Sequence, residues 1–378
     1  MRIVPAPGSK GAETRRGLIV KADTGTLTGV RAYAGGVPVP GHFDGTRSTW
    51  RSDWALPPGQ EHIVNVTASG TGGAPVSVSG RFRTLTPARS FGVASVTPFP
   101  GETVGVGMPI IVTFDTPVTD RAAVERAFEV RSAKPVEGAW HWTGESEVVY
   151  RPRRNWPARQ RVVLTAHLSG VRAADGTYGT ADHETSFTVG RKQVSVIDTR
   201  THQMLVRRDD RVVQQMAVSA GMATTREYTT TSGVHLTMDK ANPVRMVSPG
   251  RKKGEPDYYD LLIDYAVRIS NSGEYVHALD NLWAQGRENV SHGCVNVRPD
   301  QAAWFYDNSL RGDPVVIRGT DRELEWDNGW GYWQRPWEEW LDGSALHASR
   351  PPLPLADPGG VQRARPTRPS SRMGSADP

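Results

Sequence analysis

The sequence contains one cysteine among its 378 residues, and this scarcity excludes two kinds of site. A lone thiol can form neither an internal disulfide nor a multi-cysteine zinc site. Long apolar runs are also absent: no stretch of about 18 apolar residues could span a membrane, and residues 1–17 lack the apolar segment of a signal peptide. We therefore expect a cytoplasmic protein, or a sequence that begins downstream of a leader or anchor.

Basic segments interleaved with aromatic residues are missing as well. The 45 basic residues exceed the 40 acidic ones only slightly and are scattered along the chain, so nucleic acid is not predicted as a partner. Hydrophobic residues make up only 37% of the sequence, whereas glycine (39) and proline (28) are plentiful. This balance is typical of several small domains built from strands that are joined by turns.

The first half of the sequence repeats at an offset of about 100 residues, the size of a small β-sandwich. The matching features are Trp50-Arg51 with Tyr150-Arg151, Pro57 with Pro157, Gln60 with Gln160, and Ser69-Gly70 with Ser169-Gly170. Alternating strand-like segments lie between the last two pairs. We predict two immunoglobulin-like sandwiches in tandem, residues 1–87 and 88–190, which act as spacers or scaffolds.

Residues 191–320 are predicted to form a third, β-rich domain. Strand-like segments are Val194–Ile197, Met204–Arg207, Val212–Val218, Val234–Met238, Leu261–Ile269 and Val315–Ile317. One main helix is predicted after Pro299, because Ala302, Phe305, Tyr306 and Leu310 recur at helical spacing. The fold class is therefore mainly β, with two sandwiches followed by this third domain.

Two segments of different composition complete the sequence. Residues 321–346 hold Trp326, Trp330, Trp333, Trp337 and Trp340. We expect this Trp-rich segment to dock against the preceding domain rather than to bind sugar. Residues 347–378 are rich in Pro, Arg and Ser, and this composition predicts a disordered tail.

The single cysteine, Cys294, lies between two candidate bases. A thiol with a pKa of about 8.5 needs a basic partner before it can attack a carbonyl at neutral pH. His292 lies two residues upstream, and His277 could reach the thiol across the loop 278–290; we favour His277 as the base. A turn at Gly293 could point the amides of Gly293 and Cys294 at an oxyanion. These residues alone leave a nucleophile and an inert thiol equally open.

The segment Ser291-His292-Gly293-Cys294-Val295-Asn296-Val297 carries a more specific signal. It is preceded by the string GEYVH and followed by a predicted WFYD helix and an RGDPVVI strand. Together these strings resemble the catalytic domain of the L,D-transpeptidases, also called the YkuD-type domain, over about residues 191–340. The two sandwiches ahead of it and the Trp-rich segment behind it are similar to multidomain actinobacterial members of that family.

The resemblance implies roles for particular residues of this sequence. Cys294 corresponds to the nucleophile, His277 to the general base and His292 to the second histidine, while Gly293 and Cys294 would supply oxyanion amides. The implied substrate-binding residues are Ser272, Gly273, Ser291, Asn296, Met238 and the lid tyrosine Tyr259, with Tyr258 as the neighbouring possibility. Ala278 stands where serine is frequent, and the lid segment 240–257 is longer and more basic than usual.

The resemblance also implies a reaction. Cys294 would attack the L-centre carbonyl of meso-diaminopimelate in a peptidoglycan tetrapeptide stem, release D-alanine, and pass the acyl group to an amine of a second stem. The alternatives are an L,D-carboxypeptidase and a non-catalytic wall-binding scaffold. Carbapenems would act as inhibitors, no cofactor or metal is expected, and a zinc triad of His235, His277 and His292 is the weaker alternative. A monomer outside the cytoplasm, at the wall or membrane, is expected.

Overall fold

The protein is a β-rich chain, as its composition predicts. The computed structural model describes residues 1–70, 72, 74–248, 250–349 and 352–355. Strands account for 44% of the described residues and helices for 7%, with three α-helices among them. The predicted mainly-β fold class is confirmed.

The N-terminal unit is a sandwich of two sheets. Its strands are β1 (Arg2–Val4), β2 (Lys10–Ala12), β3 (Ile19–Lys21), β4 (Thr26–Ala34), β5 (Val37–Pro38), β6 (Gly41–Phe43), β7 (Thr49–Ser52), β8 (Glu61–Ser69) and β9 (Pro75–Thr84). One sheet has the order β1-β3-β7-β6 and the other β2-β9-β8-β4-β5. In β8, His62, Val64, Val66 and Ala68 are buried and alternate with more exposed residues, so the alternating sequence lays one face of the strand on the core.

A second unit repeats the sandwich plan. Its elements are β10 (Arg89–Phe91), β11 (Val93–Thr97), β12 (Thr103–Val104), β13 (Ile110–Phe114), α1 (Arg121–Arg126), β14 (Phe128–Ser132), β15 (Gly138–Trp142), β16 (Glu147–Pro152), β17 (Gln160–Ala166), β18 (Arg172–Ala174), β19 (Thr177–Gly179) and β20 (His183–Val189). Its sheets are β11-β13-β16-β15, β12-β20-β17-β14 and the small β10-β19-β18. Trp50 and Tyr150, which the repeat pairs, are both buried in their sandwiches.

The third unit carries the lone cysteine. Its elements are β21 (Gln193–Asp198), β22 (Gln203–Arg208), β23 (Arg211–Ala217), β24 (Gly233–Leu236), β25 (Lys240–Ala241), β26 (Val244–Val247), β27 (Asp260–Ile263), β28 (Ala266–Arg268), β29 (Tyr275–Ala278), β30 (Val295–Val297), α2 (Pro299–Asn308) and β31 (Pro314–Arg318). The sheets are β23-β22-β21-β31-β24 and β25-β28-β29-β30, with β26-β27 as a separate hairpin. Residues of β21, β22, β29, β30, β31 and α2 share one apolar core.

One predicted strand of this unit is in fact two. The segment Leu261–Ile269 is broken after Ile263, where Tyr265 has a left-handed φ of 51°. The Tyr265 N–H donates to Asn242 Oδ1 at 3.2 Å, which holds the bend. As a result β27 pairs with β26 in the hairpin, while β28 pairs with β25 and β29 in the sheet. Sequence alternation alone did not reveal the change of partner.

The Trp-rich segment docks mainly on the second sandwich, not on the domain that precedes it in sequence. It contains a 3-10 helix (Tyr332–Gln334) and α3 (Trp337–Asp342). Trp340 is fully buried, its Nε1–H donates to Ala139 O at 3.1 Å, and its carbonyl pairs with His141 Nδ1 at 2.8 Å. Arg151 lies over the Trp340 ring at 4.7 Å. This apolar cluster extends to Leu236 and Met238 of the third unit, so the segment ties the two units together.

The predicted tail is described only in part. Leu353–Pro354 forms a short strand, β32, that pairs in parallel with Arg131 and Ser132 of β14. The prediction of disorder for residues 347–378 otherwise falls mostly outside the described residues. Among the described residues, none of the helices is both long and apolar enough to cross a membrane.

Candidate active site

Two adjacent parallel strands bring the lone thiol and its predicted base together. β29 pairs with β30 so that Val276 lies opposite Val295 and His277 opposite Asn296. Cys294 immediately precedes β30, and both Cys294 and His277 line one cavity of about 690 Å³. The hairpin β26-β27 forms another part of the cavity wall, through Met246, Leu261 and Ile263.

Most of the predicted site residues meet in this cavity. Its lining includes Cys294, His277, His292, Gly293, Tyr259, Ser272, Gly273, Ser291 and Asn296. Met238 is the exception, since it is buried in the cluster that joins the third unit to the Trp-rich segment. The prediction of Met238 as a pocket residue is therefore corrected: the methionine in the cavity wall is Met246, on strand β26.

The thiol of Cys294 is neutral in this environment. The residue is half-buried, and the sulfur donates a weak hydrogen bond to Gly273 O at 3.6 Å. Burial raises the pKa of the Cys294 thiol to about 12; a hydrogen bond from the Tyr275 backbone opposes this rise, and the negative charge of Glu274 adds to it. Attack on a carbonyl therefore requires a base that removes the proton as the new bond forms.

His277, the predicted base, is held in a fixed orientation. Its ring is buried, and Nδ1 lies 2.9 Å from Ala278 O, an acceptor that fixes the proton on Nδ1. The second nitrogen, Nε2, is then left with a lone pair. Burial lowers the pKa of His277, against the smaller opposite effect of the Ala278 carbonyl, so the imidazole is neutral at pH 7. Because a carbonyl orients the ring, the alanine at position 278 does not disturb it.

One of the two amides predicted to bind an oxyanion is engaged within its own turn. The Gly293 N–H donates to Ser291 Oγ at 3.1 Å, and Ser291 Oγ in turn donates to Cys294 O at 2.5 Å. The Gly293 carbonyl accepts from Thr230 Oγ1 at 2.7 Å. Gly293 has a φ of 122°, which favours glycine. The Gly293 amide is thus engaged within the turn, whereas no acceptor for the Cys294 N–H is found within the described residues.

His292 contacts two aromatic rings, and no hydrogen bond joins it to the Cys294 thiol among the described residues. Tyr228 packs edge-on against it with ring centroids 4.4 Å apart, and Tyr259 lies at 5.3 Å. His292 Nε2 is buried without a partner among the described residues. Of the two lid tyrosines considered from sequence, Tyr259 is the one in the cavity wall. Tyr228 was not predicted, because only the fold brings its loop to the site.

A buried polar cluster beside the thiol also escaped sequence reasoning. Glu274 accepts from Thr231 N at 2.7 Å and from Thr231 Oγ1 at 2.7 Å, and Thr231 Oγ1 lies 2.8 Å from His235 Nε2. His235 is therefore engaged in this cluster, apart from the two histidines that line the cavity. No group of three His, Cys, Asp or Glu residues suited to a metal ion occurs in the part of the chain that the structure describes.

The C-terminal segment contributes two further contacts to the site. Arg322 lines the cavity and donates to the carbonyls of Arg226 and Thr229, both at 3.0 Å, which holds the loop that carries Tyr228. Asn328 accepts from Ser272 N and donates to Ser272 Oγ, both at 2.9 Å. These side chains lie more than 50 residues from their partners in sequence, so no local pattern could have indicated them.

Comparison with known proteins agrees with this architecture. Residues 9–172 match a bacterial Ig domain, and residues 192–317 match the L,D-transpeptidase catalytic domain. L,D-transpeptidase 2 of Mycobacterium tuberculosis is 34% identical over 343 residues, which cover 89% of this chain and 83% of that protein. L,D-transpeptidase 5 of the same species is 35% identical over 303 residues, 78% of this chain and 64% of that protein, so the match spans less than two thirds of its length.

Solved structures of L,D-transpeptidases are also similar to this chain. The L,D-transpeptidase LdtMt1 in complex with imipenem is 35% identical, with a TM-score of 0.51 over 62% of this chain and 100% of that one. L,D-transpeptidase 3 of Mycobacterium tuberculosis, in complex with a faropenem-derived adduct, is 34% identical, with a TM-score of 0.50 over 60% of this chain and 98% of that one. Sandwiches followed by an L,D-transpeptidase catalytic domain thus define the class of this protein. The chain belongs to the L,D-transpeptidase family.

Proposed function

We propose that the protein is a peptidoglycan L,D-transpeptidase that cross-links stem peptides through a thioester on Cys294. The observation that carries this proposal is the cavity of about 690 Å³ that is lined by both Cys294 and His277. The only thiol of the sequence thus shares an open cavity with a neutral imidazole. Membership of the L,D-transpeptidase family supports the same reaction.

Acylation begins with transfer of the thiol proton. The Sγ–H turns from Gly273 O towards His277 Nε2 as sulfur bonds to the L-centre carbonyl of the donor stem. The Nδ1 contact with Ala278 O keeps the ring in place and stabilises the imidazolium that forms. When the tetrahedral intermediate collapses, the carbon–nitrogen bond breaks and His277 returns the proton to the departing D-alanine. A thioester on Cys294 remains.

The developing oxyanion requires a donor close to the sulfur. The Cys294 N–H fits this role, because the Gly293 amide is already bonded to Ser291 Oγ. The Ser291 hydroxyl accepts from the Gly293 N–H and the Thr230 hydroxyl donates to the Gly293 carbonyl, and these two contacts set the direction of the Cys294 amide. We therefore assign Ser291 and Gly293 to the positioning of the oxyanion donor.

An amine of a second stem then resolves the thioester. It attacks the carbonyl, gives its proton to His277, and forms an amide as the thiol leaves with that proton. The donor stem would lie along Ser272, Gly273 and Asn296, beneath the lid tyrosine Tyr259. If water took the place of the amine, the same site would act as an L,D-carboxypeptidase.

The remaining parts of the chain fit a wall enzyme. We propose domain boundaries at 87/88, 190/191, 320/321 and 346/347, with the two sandwiches as scaffold and the Trp-rich segment as a tie between units. Peptidoglycan lies outside the cytoplasm, so the protein would act there, at the wall or membrane. We also propose that the protein acts as a monomer.

Incubation with a disaccharide tetrapeptide, followed by mass analysis, tests the proposal. A cross-linked dimer is expected from the parent, whereas a tripeptide product would indicate the carboxypeptidase. Imipenem should add one adduct to the parent protein and none to Cys294→Ala, since the sequence holds no other cysteine. A folded parent protein that forms neither product nor adduct would refute the enzymatic proposal and favour a scaffold.

A further inference from the structure

We propose that Arg251 is a specificity-determining residue that binds a carboxylate of the donor stem at the wall of the catalytic cavity. The inference rests on the proposed function and deepens it, since it names a chemical group by which the enzyme would recognise the stem. Arg251 lies in the basic lid segment 240–257, which takes no part in the proposed acyl transfer. It lines the same cavity as Cys294 and His277.

Three arginines line this cavity, and two of them already hold other parts of the protein. Arg245 forms a two-pronged ion pair with Asp260, in which its Nε and its Nη2 each lie 2.8 Å from a carboxylate oxygen. Arg322 uses its Nη1 to hold the loop 226–229, through two carbonyl oxygens that each lie 3.0 Å away. Arg251 is the third arginine of the cavity wall.

The guanidinium of Arg251 has no acidic partner. Among the described residues it forms no ion pair, and its one hydrogen bond is a long contact of 3.4 Å from Nη1 to the carbonyl of Pro256. The nearby carboxylates of the lid segment hold other groups. Glu255 accepts from a backbone N–H at 2.8 Å, and Asp257 accepts from the Tyr228 hydroxyl at 3.5 Å. Since a guanidinium carries five N–H donors, most of those of Arg251 are free for a ligand.

Ring contacts place Arg251 near the turn that carries the nucleophile. Its Cζ lies 5.7 Å from the centre of the Tyr228 ring, and that ring packs against His292 with centroids 4.4 Å apart. His292 lies two residues before Cys294. The guanidinium is therefore no more than about 10 Å from the centre of the His292 ring, a distance that about three residues of extended peptide span.

The proposed donor stem has two carboxylates within that range of the reacting carbonyl. One is the terminal carboxylate of the D-alanine that leaves. The other is the carboxylate of the D-centre of diaminopimelate, at the end of its side chain. A guanidinium binds a carboxylate through two parallel N–H···O bonds, and a carboxamide lacks both the charge and one of the two acceptors. Arg251 would therefore favour a stem in which this group is a free acid.

The acids around the cavity leave the charge of Arg251 available. Glu274 is buried and accepts both the N–H and the O–H of Thr231. Glu227 lines the cavity but is exposed, so solvent and salt weaken its field. Three further acids line a separate hollow that contains no residue of the lid segment: Glu323, Glu325 and Asp327.

Binding of stem peptides to the full-length Cys294→Ala protein tests this role, because that variant cannot consume them. The probes are the tetrapeptide stem and two carboxamides of it, one at the terminal D-alanine and one at the D-centre of diaminopimelate. Isothermal titration calorimetry gives each Kd. One carboxamide should bind about tenfold more weakly than the acid, as expected for one charge-assisted pair at a partly exposed position. That carboxamide identifies the carboxylate that Arg251 holds.

Arg251→Gln, made in the Cys294→Ala protein, removes the guanidinium. It should weaken binding of the acid stem about tenfold, but it should not weaken binding of the identified carboxamide, because that pair is already lost. Lys252→Gln removes an equal charge from the next residue, which is exposed and does not line the cavity. It is the matched control and should bind all three peptides as the Cys294→Ala protein does. Circular dichroism checks the fold of each variant.

The proposal is overturned if no stem peptide binds, or if both carboxamides bind as tightly as the acid. These two outcomes need no change at position 251, so a misfolded Arg251→Gln does not prevent a decision. It is also overturned if Arg251→Gln keeps the preference for the acid, or if Lys252→Gln weakens binding equally. Because binding needs no bond to be broken, a parent protein that forms neither product nor imipenem adduct would refute the proposed function separately.

Discussion

Replacement of His277 by alanine gives the sharpest test of how the thiol is activated. The structure gives the Cys294 thiol a pKa of about 12, so about one molecule in 10⁵ carries a thiolate at pH 7. In the proposed mechanism the parent avoids this shortage, because neutral His277 takes the proton during attack. Without the imidazole, only the rare thiolate can react. General-base assistance is worth about 10² to 10⁴ in rate, and we expect a loss of that size in imipenem acylation.

The pH dependence distinguishes this mechanism from simple damage to the site. Burial lowers the pKa of His277, so the parent base is unprotonated from pH 7 upwards and the parent rate should be nearly constant there. In His277→Ala the rate should follow the thiolate, about tenfold per pH unit, since the thiol pKa lies far above the working range. The variant should therefore approach the parent rate as the solution becomes alkaline.

Stopped-flow acylation by imipenem between pH 7 and pH 9.5 measures both quantities. His183→Ala, a substitution on β20 of the second sandwich, is the matched control and should acylate as the parent does. Circular dichroism at each pH checks that the proteins are folded. A His277→Ala variant that acylates at the parent rate, or whose slow rate does not change with pH, would refute His277 as the base.

Three further substitutions test the structure. Trp340→Ala removes a fully buried ring and should lower the free energy of unfolding, measured by urea denaturation, by about 3–5 kcal/mol. Replacement of the exposed Trp283 by alanine should lower it by less than about 1 kcal/mol. Equal losses would contradict the docking of the Trp-rich segment on the second sandwich. Gly293→Ala places a side chain at a φ of 122°, at a cost of about 1–3 kcal/mol, and should slow acylation by imipenem because it moves the Cys294 amide. Gly144→Ala, where a side chain meets open space, should acylate as the parent does. A parent-like acylation rate in Gly293→Ala would argue against the oxyanion role of the Cys294 amide. Burial lowers the pKa of His141 below its unfolded value, so the stability that this group contributes is present above about pH 6.5 and is lost on acidification. Between pH 7 and pH 5, His141→Asn should therefore lose less free energy of unfolding than the parent, as measured by urea denaturation. An equal loss would contradict this.

Local sequence was sufficient to predict the overall plan and to single out the proposed nucleophile. The alternation of apolar and polar residues in a strand, and the helical spacing of apolar residues after Pro299, can each be recognised within one segment of sequence. The strands of the sandwiches and this helix were therefore predictable. The single cysteine needed no fold to be singled out, because no other residue could act as a thiol. The repeat of about 100 residues also indicated two sandwiches before any strand was paired.

The details of the site depended on contacts between distant residues. The tautomer of His277 is set by the carbonyl of Ala278, and the Gly293 amide is occupied by Ser291; both are matters of backbone direction that residue types do not specify. Met238 was misplaced for a related reason. A buried methionine suits a pocket or a core equally well, and only packing against the Trp-rich segment places it in the core.

The sequence by itself determined which atom can be the nucleophile and which segments become strands, since both depend on residue type and spacing within a few positions. The tertiary structure alone decided that Glu274 lies beside the thiol, that Arg322 and Asn328 support the cavity, and that the Trp-rich segment docks on the second sandwich. These contacts join residues that are far apart in the chain. Their energies depend on burial and direction, which exist only once the strands have paired.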